Sequence, residues 1–162
     1  MNSKISPIPN GLHSLTAYLT VKGAADAIDF YKRAFGAKEQ FRMPSPDGKT
    51  IGHASIVIGD SVLMLADEHP GFNKSPQTLG GVGISMLLYV EDVDAAFKRA
   101  VDAGATVKMP VEDKFYGDRM GSVTDPFGHM WTIGTHIEDV SPQEMQKRMQ
   151  EMCSKMGEQK SM

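Results

Sequence analysis

The chain has 162 residues, with 17 Lys and Arg against 20 Asp and Glu, giving a formal net charge of −3. Hydrophobic residues make up 41% and charged residues 23%, the composition of one soluble domain or of two small units sharing a core. No basic run exceeds two residues, which argues against a nucleic-acid partner, and no apolar run approaches the ~20 residues that span a bilayer.

Ser14 to Val21 alternates as a strand, with Leu15, Ala17, Leu19 and Val21 on one face and Thr16, Tyr18 and Thr20 on the other. Ala24 to Phe35 follows with helical spacing, its apolar stripe formed by Ala27, Ile28, Tyr31, Ala34 and Phe35 and its end marked by Gly36. Strands are predicted at Lys38–Met43, Ile51–Ile58 and Val62–Ala66, with turns at residues 44–48 and at Gly59-Asp60. Residues 67–81 have no periodicity, and their two Pro and three Gly argue against a regular element. A link of this length is either a lid or binding loop, or a solvated tether.

The order then repeats. Gly83–Val90 reads as a strand and Val93–Ala103 as a helix with Ala96, Phe97, Ala100 and Val101 on its apolar side. Thr106–Val111, Arg119–Thr124 and Met130–Thr135 read as strands, the last two joined by the tight turn Asp125-Pro126-Phe127-Gly128. The repeat is 69 residues, the spacing from Val21 to Val90. The predicted class is α+β, with tandem βαβββ units at 12–66 and 82–138 joined by linker 67–81. A lone unit would leave one sheet face uncovered, so the two are expected to pack together.

Ser141-Pro142-Gln143-Glu144 is a capping box that starts a helix over 141–156. Met145, Met149, Met152 and Met156 form one stripe on it, suited to docking on the chain's own body or on a partner. The tail from Gly157 to Met162 is expected to be disordered. The single cysteine, Cys153, excludes an intramolecular disulfide, and the first seven residues lack a hydrophobic signal core. A cytoplasmic protein with an incidental thiol is expected.

The segment Asp125-Pro126-Phe127-Gly128-His129 closely resembles the Asp-Pro-x-Gly hairpin of the vicinal oxygen chelate superfamily. That superfamily holds glyoxalase I, extradiol dioxygenases, and fosfomycin and bleomycin resistance proteins. Tyr18 to Tyr31, Gly52-His53-Ala54, Tyr89 to Ala95 and Phe115 to Arg119 extend the resemblance to its PhnB-like, glyoxalase/bleomycin-resistance members, from about Leu12 to Glu138. The resemblance implies strands curled around a concave groove, helices on the outer face, and a homodimer.

In metal-dependent members, ligands from four strands hold a divalent ion. The matching positions here are Thr16, Ser85, Thr132 and either Leu63 or Met64, none a usual ligand. No metal or other cofactor is therefore expected. His53 faces the groove on the strand pattern, and a relocated metal site using it with Glu68 or His69 is the alternative. The groove is expected to hold Thr16, Tyr18, His53, Met64, Ser85, Leu87, Tyr89, Met130 and Thr132, with Phe115, Tyr116 and Arg119 at its mouth. Arg119 could instead pair with Asp125 or the linker. These residues suit a flat, partly apolar small molecule, bound and not transformed. No Gly-x-Ser-x-Gly elbow or other nucleophile–base pair is present. The competing readings are a glyoxalase- or dioxygenase-like enzyme, and an interaction module acting through the Met stripe.

Overall fold

The computed structural model describes residues 5–46 and 48–159, with side chains of 155–159 excepted. The elements in chain order are β1 (Ala17–Val21), α1 (Ala24–Phe35), β2 (Lys38–Pro44), β3 (Ile51–Ile58) and β4 (Ser61–Asp67). They are followed by α2 (Pro76–Leu79), β5 (Ser85–Tyr89), α3 (Val93–Asp102), β6 (Thr106–Asp113), β7 (Asp118–Thr124), β8 (Met130–His136) and α4 (Pro142–Gln159). The βαβββ order is therefore present twice. α4 continues past the expected end at Met156, so disorder beginning at Gly157 does not hold for its first residues. Asp47 and the last three residues of the expected disordered tail lie outside the described residues.

Two four-stranded sheets form, in the orders β1-β4-β3-β2 and β5-β8-β7-β6. In each, the first strand runs parallel to the last and the other pairs are antiparallel. The registers match across the repeat: Leu19 faces Leu65 in the first sheet and Leu88 faces Ile133 in the second.

Local chemistry explains the boundaries. α1 has no side-chain cap of its own; the Asp67 carboxylate at the end of β4 accepts from the Gly23 and Ala24 N–H groups at 2.7 and 2.9 Å. Gly36 closes the helix in the left-handed conformation. α3 starts on Asp92, whose side chain accepts from the Ala95 N–H. By strand alternation Leu15 shares the face of Leu19 and Val21, and Ile84 that of Leu88, yet the two are 90% and 66% exposed. Pairing with β4 and β8 begins at Ala17 and Ser85, so both residues precede the ladder that would turn them inward.

The linker also departs from expectation. Pro76–Leu79 forms one helical turn, N-capped by Ser75 with Pro at the first position. Its Gln77 amide donates to the Pro126 carbonyl at 2.9 Å. Gly128, at φ +90, packs so closely on α2 that a Cβ there would lie 2.8 Å from Pro76. The linker is thus docked against the β7–β8 hairpin.

One hydrophobic core joins both units. α1 lies against β3 and β4 and also against α3, and seven of its twelve residues are buried. Phe30 is buried although it lies off the expected stripe, because Phe127 of the second unit covers it at a ring separation of 6.1 Å. Phe35 and Trp131 meet at 4.6 Å across the same boundary.

Candidate functional site

Alternation along the strands leaves one face of each sheet without a helix cover. On the first sheet, Leu19, Val21, Ala54, Ile56, Leu63 and Leu65 are buried beneath α1, while Tyr18, Thr20, His53, Ser55 and Met64 share the opposite, open face. Tyr18 lies beside Met64 in register, and Met64 beside Ser55. The Tyr18 hydroxyl and His53 Nδ1 are 3.0 Å apart, and Phe41 lies 6.1 Å from the His53 ring. Partial burial pushes the Tyr18 hydroxyl above its usual range. Beside this cluster opens a cleft of about 540 Å³, floored by Tyr18, Thr20 and Gly52 and rimmed by Pro46, His69 and Phe72.

On the second sheet, Trp131 and Ile133 are buried, while Ser85, Leu87, Tyr89, Met130 and Thr132 share the open face. Ser85 lies beside Met130, and Leu87 beside Thr132. The Thr132 and Ser122 hydroxyls pair at 2.9 Å. Tyr116 donates to the Met120 sulfur at 3.2 Å and stacks edge-on with Phe115. The residues expected in one groove therefore fall into two clusters, one on each sheet.

Two expected residues sit elsewhere. Thr16 precedes β1 and donates to the His13 carbonyl at 3.1 Å. Arg119 lies on the helix side of β7, forked across Asp94 on α3 and across Asp113, each at 2.8 Å. Its sequence neighbour Asp118 points to the opposite face, as strand geometry requires. Neither Asp125 nor the linker is the Arg119 partner.

Three features escaped the sequence reading. Asp125 is buried and accepts four hydrogen bonds: from the Phe127 and His129 N–H groups, the Tyr31 hydroxyl and the Trp131 indole. His129 is only 5% exposed, and its Nε2 lies 3.0 Å from the Thr20 carbonyl of the first unit. Its Nδ1 is buried with no partner among the described residues. At the end of the second sheet, buried Asp118 accepts from the Tyr89 hydroxyl and from His136 Nδ1, both at 2.7 Å. His136 Nε2 lies 3.0 Å from Asp139. Hydrogen bonds to Asp118 and then Asp139 raise the His136 pKa. Burial pushes Asp118 up, but the bonds from His136 and Tyr89 outweigh it and leave its pKa lowered. Only the Asp-Pro-x-Gly pattern flagged Asp125, and nothing in local sequence pairs Tyr89, Asp118 and His136.

The four strand positions that would serve a divalent metal offer hydroxyls at Thr16, Ser85 and Thr132 and a thioether at Met64; Leu63 is buried on the helix side. The Thr16 and Thr132 hydroxyls are already bonded within the chain. This donor set fits a transition metal poorly. No group of three or more His, Cys, Asp or Glu is placed to hold a metal ion among the described residues. No helix among them is long and apolar enough to cross a membrane.

Residues 11–133 match the family model of the Glyoxalase/Bleomycin resistance protein/Dioxygenase superfamily. The chain is 46% identical over 140 residues to the protein Rv0887c of Mycobacterium tuberculosis, covering 84% of this chain and 82% of that one. Among solved structures, TioX from Micromonospora sp. ML1 aligns with a TM-score of 0.60 and 28% identity, covering 77% of this chain and 99% of TioX. A PhnB protein from Bacillus cereus shares the fold at 18% identity and a TM-score of 0.59, covering 76% of this chain and 99% of the other.

Proposed function

The chain belongs to the Glyoxalase/Bleomycin resistance protein/Dioxygenase superfamily, and from that premise we propose that it binds a small, partly aromatic molecule without a metal and without breaking a bond. The observation that carries this reading is the chemistry at the four positions matched to the family's ligands, Thr16, Ser85, Thr132 and Met64. Neutral hydroxyls and a thioether do not compete with water for a divalent cation as imidazole and carboxylate do. The open faces offer what an aromatic ligand uses instead: Tyr18, His53 and Met64 on one sheet, and Leu87, Tyr89 and Met130 on the other.

A metal site moved to His53 lacks support from its neighbours. His53 Nδ1 is bonded to Tyr18. A Glu68 oxygen is taken by Ser75 and Thr78 at 2.7 to 2.9 Å. The chain acts as a homodimer in this proposal. β1 and β5 are edge strands, and Tyr18, Leu87 and Tyr89 on them, with Leu15 and Ile84 just before them, stand at least half exposed.

Metal analysis of freshly purified protein, combined with thermal-shift screening against aromatic small molecules and divalent metals, tests the reading. The expected result is protein without stoichiometric transition metal, melting higher with an aromatic compound and unchanged with metal. Stoichiometric metal, or stabilisation by metal alone, would overturn it in favour of a glyoxalase- or dioxygenase-like enzyme.

A further inference from the structure

We infer that the cleft over the first sheet, closed on one side by the linker, is the ligand site, and that it takes a neutral planar aromatic molecule held between Tyr18 and Phe72. The inference rests on the binding function proposed above and assigns it to one place and one chemical class.

The linker is built to present Phe72. His69-Pro70-Gly71-Phe72 is a tight turn, with Pro second, Gly71 third at φ +81, and the Phe72 N–H on the His69 carbonyl at 3.0 Å. The Asn73 N–H reaches the same carbonyl at 3.2 Å, and its side chain accepts from the His69 N–H at 2.6 Å. Behind the turn, Glu68 accepts from Ser75 and Thr78, and Ser75 is fully buried. A loop fixed at both ends by buried or multiple hydrogen bonds has already lost its conformational entropy. It nevertheless displays a Phe ring that is 88% exposed, at the rim of a cleft. Tyr18, 50% exposed, forms part of the floor of that cleft, with its hydroxyl fixed by His53. The volume, about 540 Å³, lies within the range of small-molecule sites.

The neutrality of the ligand follows from where the charges go. Asp67 and Glu68 are the carboxylates among the described lining residues. Asp67 is occupied by the N–H groups of Gly23, Ala24 and Ile51. One oxygen of Glu68 accepts from Ser75 and Thr78. No Lys or Arg is among the described residues that line the cleft. An anionic ligand would meet two carboxylates and no counter-charge among the described lining residues, and the carboxylate oxygens that accept those bonds are already committed, whereas a neutral planar ring finds two aromatic side chains and the imidazole of His69.

Titration of the full chain with 2-naphthol and with indole, followed by amide chemical-shift mapping, tests the assignment. Shifts are expected at Tyr18, Thr20, Gly52 and residues 66–73. Phe72→Ala should weaken binding at least about fivefold, since one base-like stacking partner contributes that much or more, while Val107→Ala, at an exposed position on β6 away from both clusters, leaves it unchanged. Phe72 is exposed, so its replacement does not threaten folding. If the probes bind, but the shifts centre on Leu87 and Thr132 and Phe72→Ala is silent, this assignment fails and the general binding function stands. If neither probe binds, the assignment fails; if a transition metal binds stoichiometrically as well, both fail.

Discussion

The Tyr31 hydroxyl donates to Asp125 at 2.7 Å, joining helix α1 of the first unit to the hairpin of the second across 94 positions of sequence. Asp125 takes three more donors from its own unit, so its carboxylate is a polar centre in a largely apolar boundary that the His129–Thr20 and Arg99–Ala34 contacts also cross. Burial, reinforced by the Asp125 charge, raises the Tyr31 pKa well above the usual tyrosine range, so the phenol stays a donor. Tyr31→Phe should cost about 1.5–3 kcal/mol, the range for a hydrogen bond to a charged group. Asp125→Ala should cost more, about 3–5 kcal/mol, because buried donors lose their acceptor. Urea unfolding measures both. Equal and negligible losses would mean that the Tyr31–Asp125 bond does not hold the two units together.

Glu68 makes the order of the linker acid-sensitive. Hydrogen bonds from Thr78 and then Ser75 hold its carboxyl at about 2, against an ordinary 4.5. A depressed folded-state value stabilises above the unfolded value, and that contribution fades as pH falls from 4.5 towards 2. Hydrogen exchange at residues 69–79 should accelerate across this window before the sheets open. Glu68→Gln should show the faster exchange at neutral pH and lose the pH dependence. Identical profiles for the two proteins would rule out this anchor.

Much of the fold was legible because periodicity and turn chemistry are local. The α1 boundaries, the two-unit repeat and the separation of Trp131 and Ile133 from Thr132 all follow from spacing and strand alternation. The linker helix carries the same Ser-Pro start as α4, yet the surrounding Gly and Pro masked it. What local pattern could not supply were partners chosen by folding. Asp67 caps a helix that begins 43 residues before it, and Asp118 meets Tyr89 and His136 from two other strands. Arg119 was assigned to the groove by its aromatic neighbours, but its strand parity sends it to Asp94. The division of the candidate site into two clusters follows from hydrogen bonding within each unit's own sheet, which spacing alone cannot show.

His136 should couple the end of the second sheet to pH in the opposite sense to Glu68. Its pKa is raised by Asp118 and Asp139, so its stabilising effect is complete below the ordinary value of 6.5 and is lost as pH rises through the higher folded value. With Nδ1 donating to Asp118, a neutral ring presents a lone pair at Nε2 to the Asp139 carboxylate, and that contact is released. Proton-resolved titration should give a His136 midpoint above 6.5, lowered by Asp139→Asn and lowered further by Asp118→Asn. A midpoint at or below the ordinary value would refute the arrangement.

α4 lies beyond the residues that match the family model, and among its described side chains Arg148 ties it to the body. Arg148 bonds both Glu138 oxygens at 2.7 and 2.8 Å, along with Glu144 and the Phe115 carbonyl. Further along, Met149 and Met152 stand 47% and 42% exposed. Truncation after Ser141 therefore removes one partly exposed ion-pair network and the burial of Met145. The expected loss is small, with cooperative unfolding retained. Urea unfolding together with sedimentation checks this. A folded truncated chain that has changed oligomeric state would show that the Met stripe serves a partner copy, whereas unfolding would place α4 within the core of the domain.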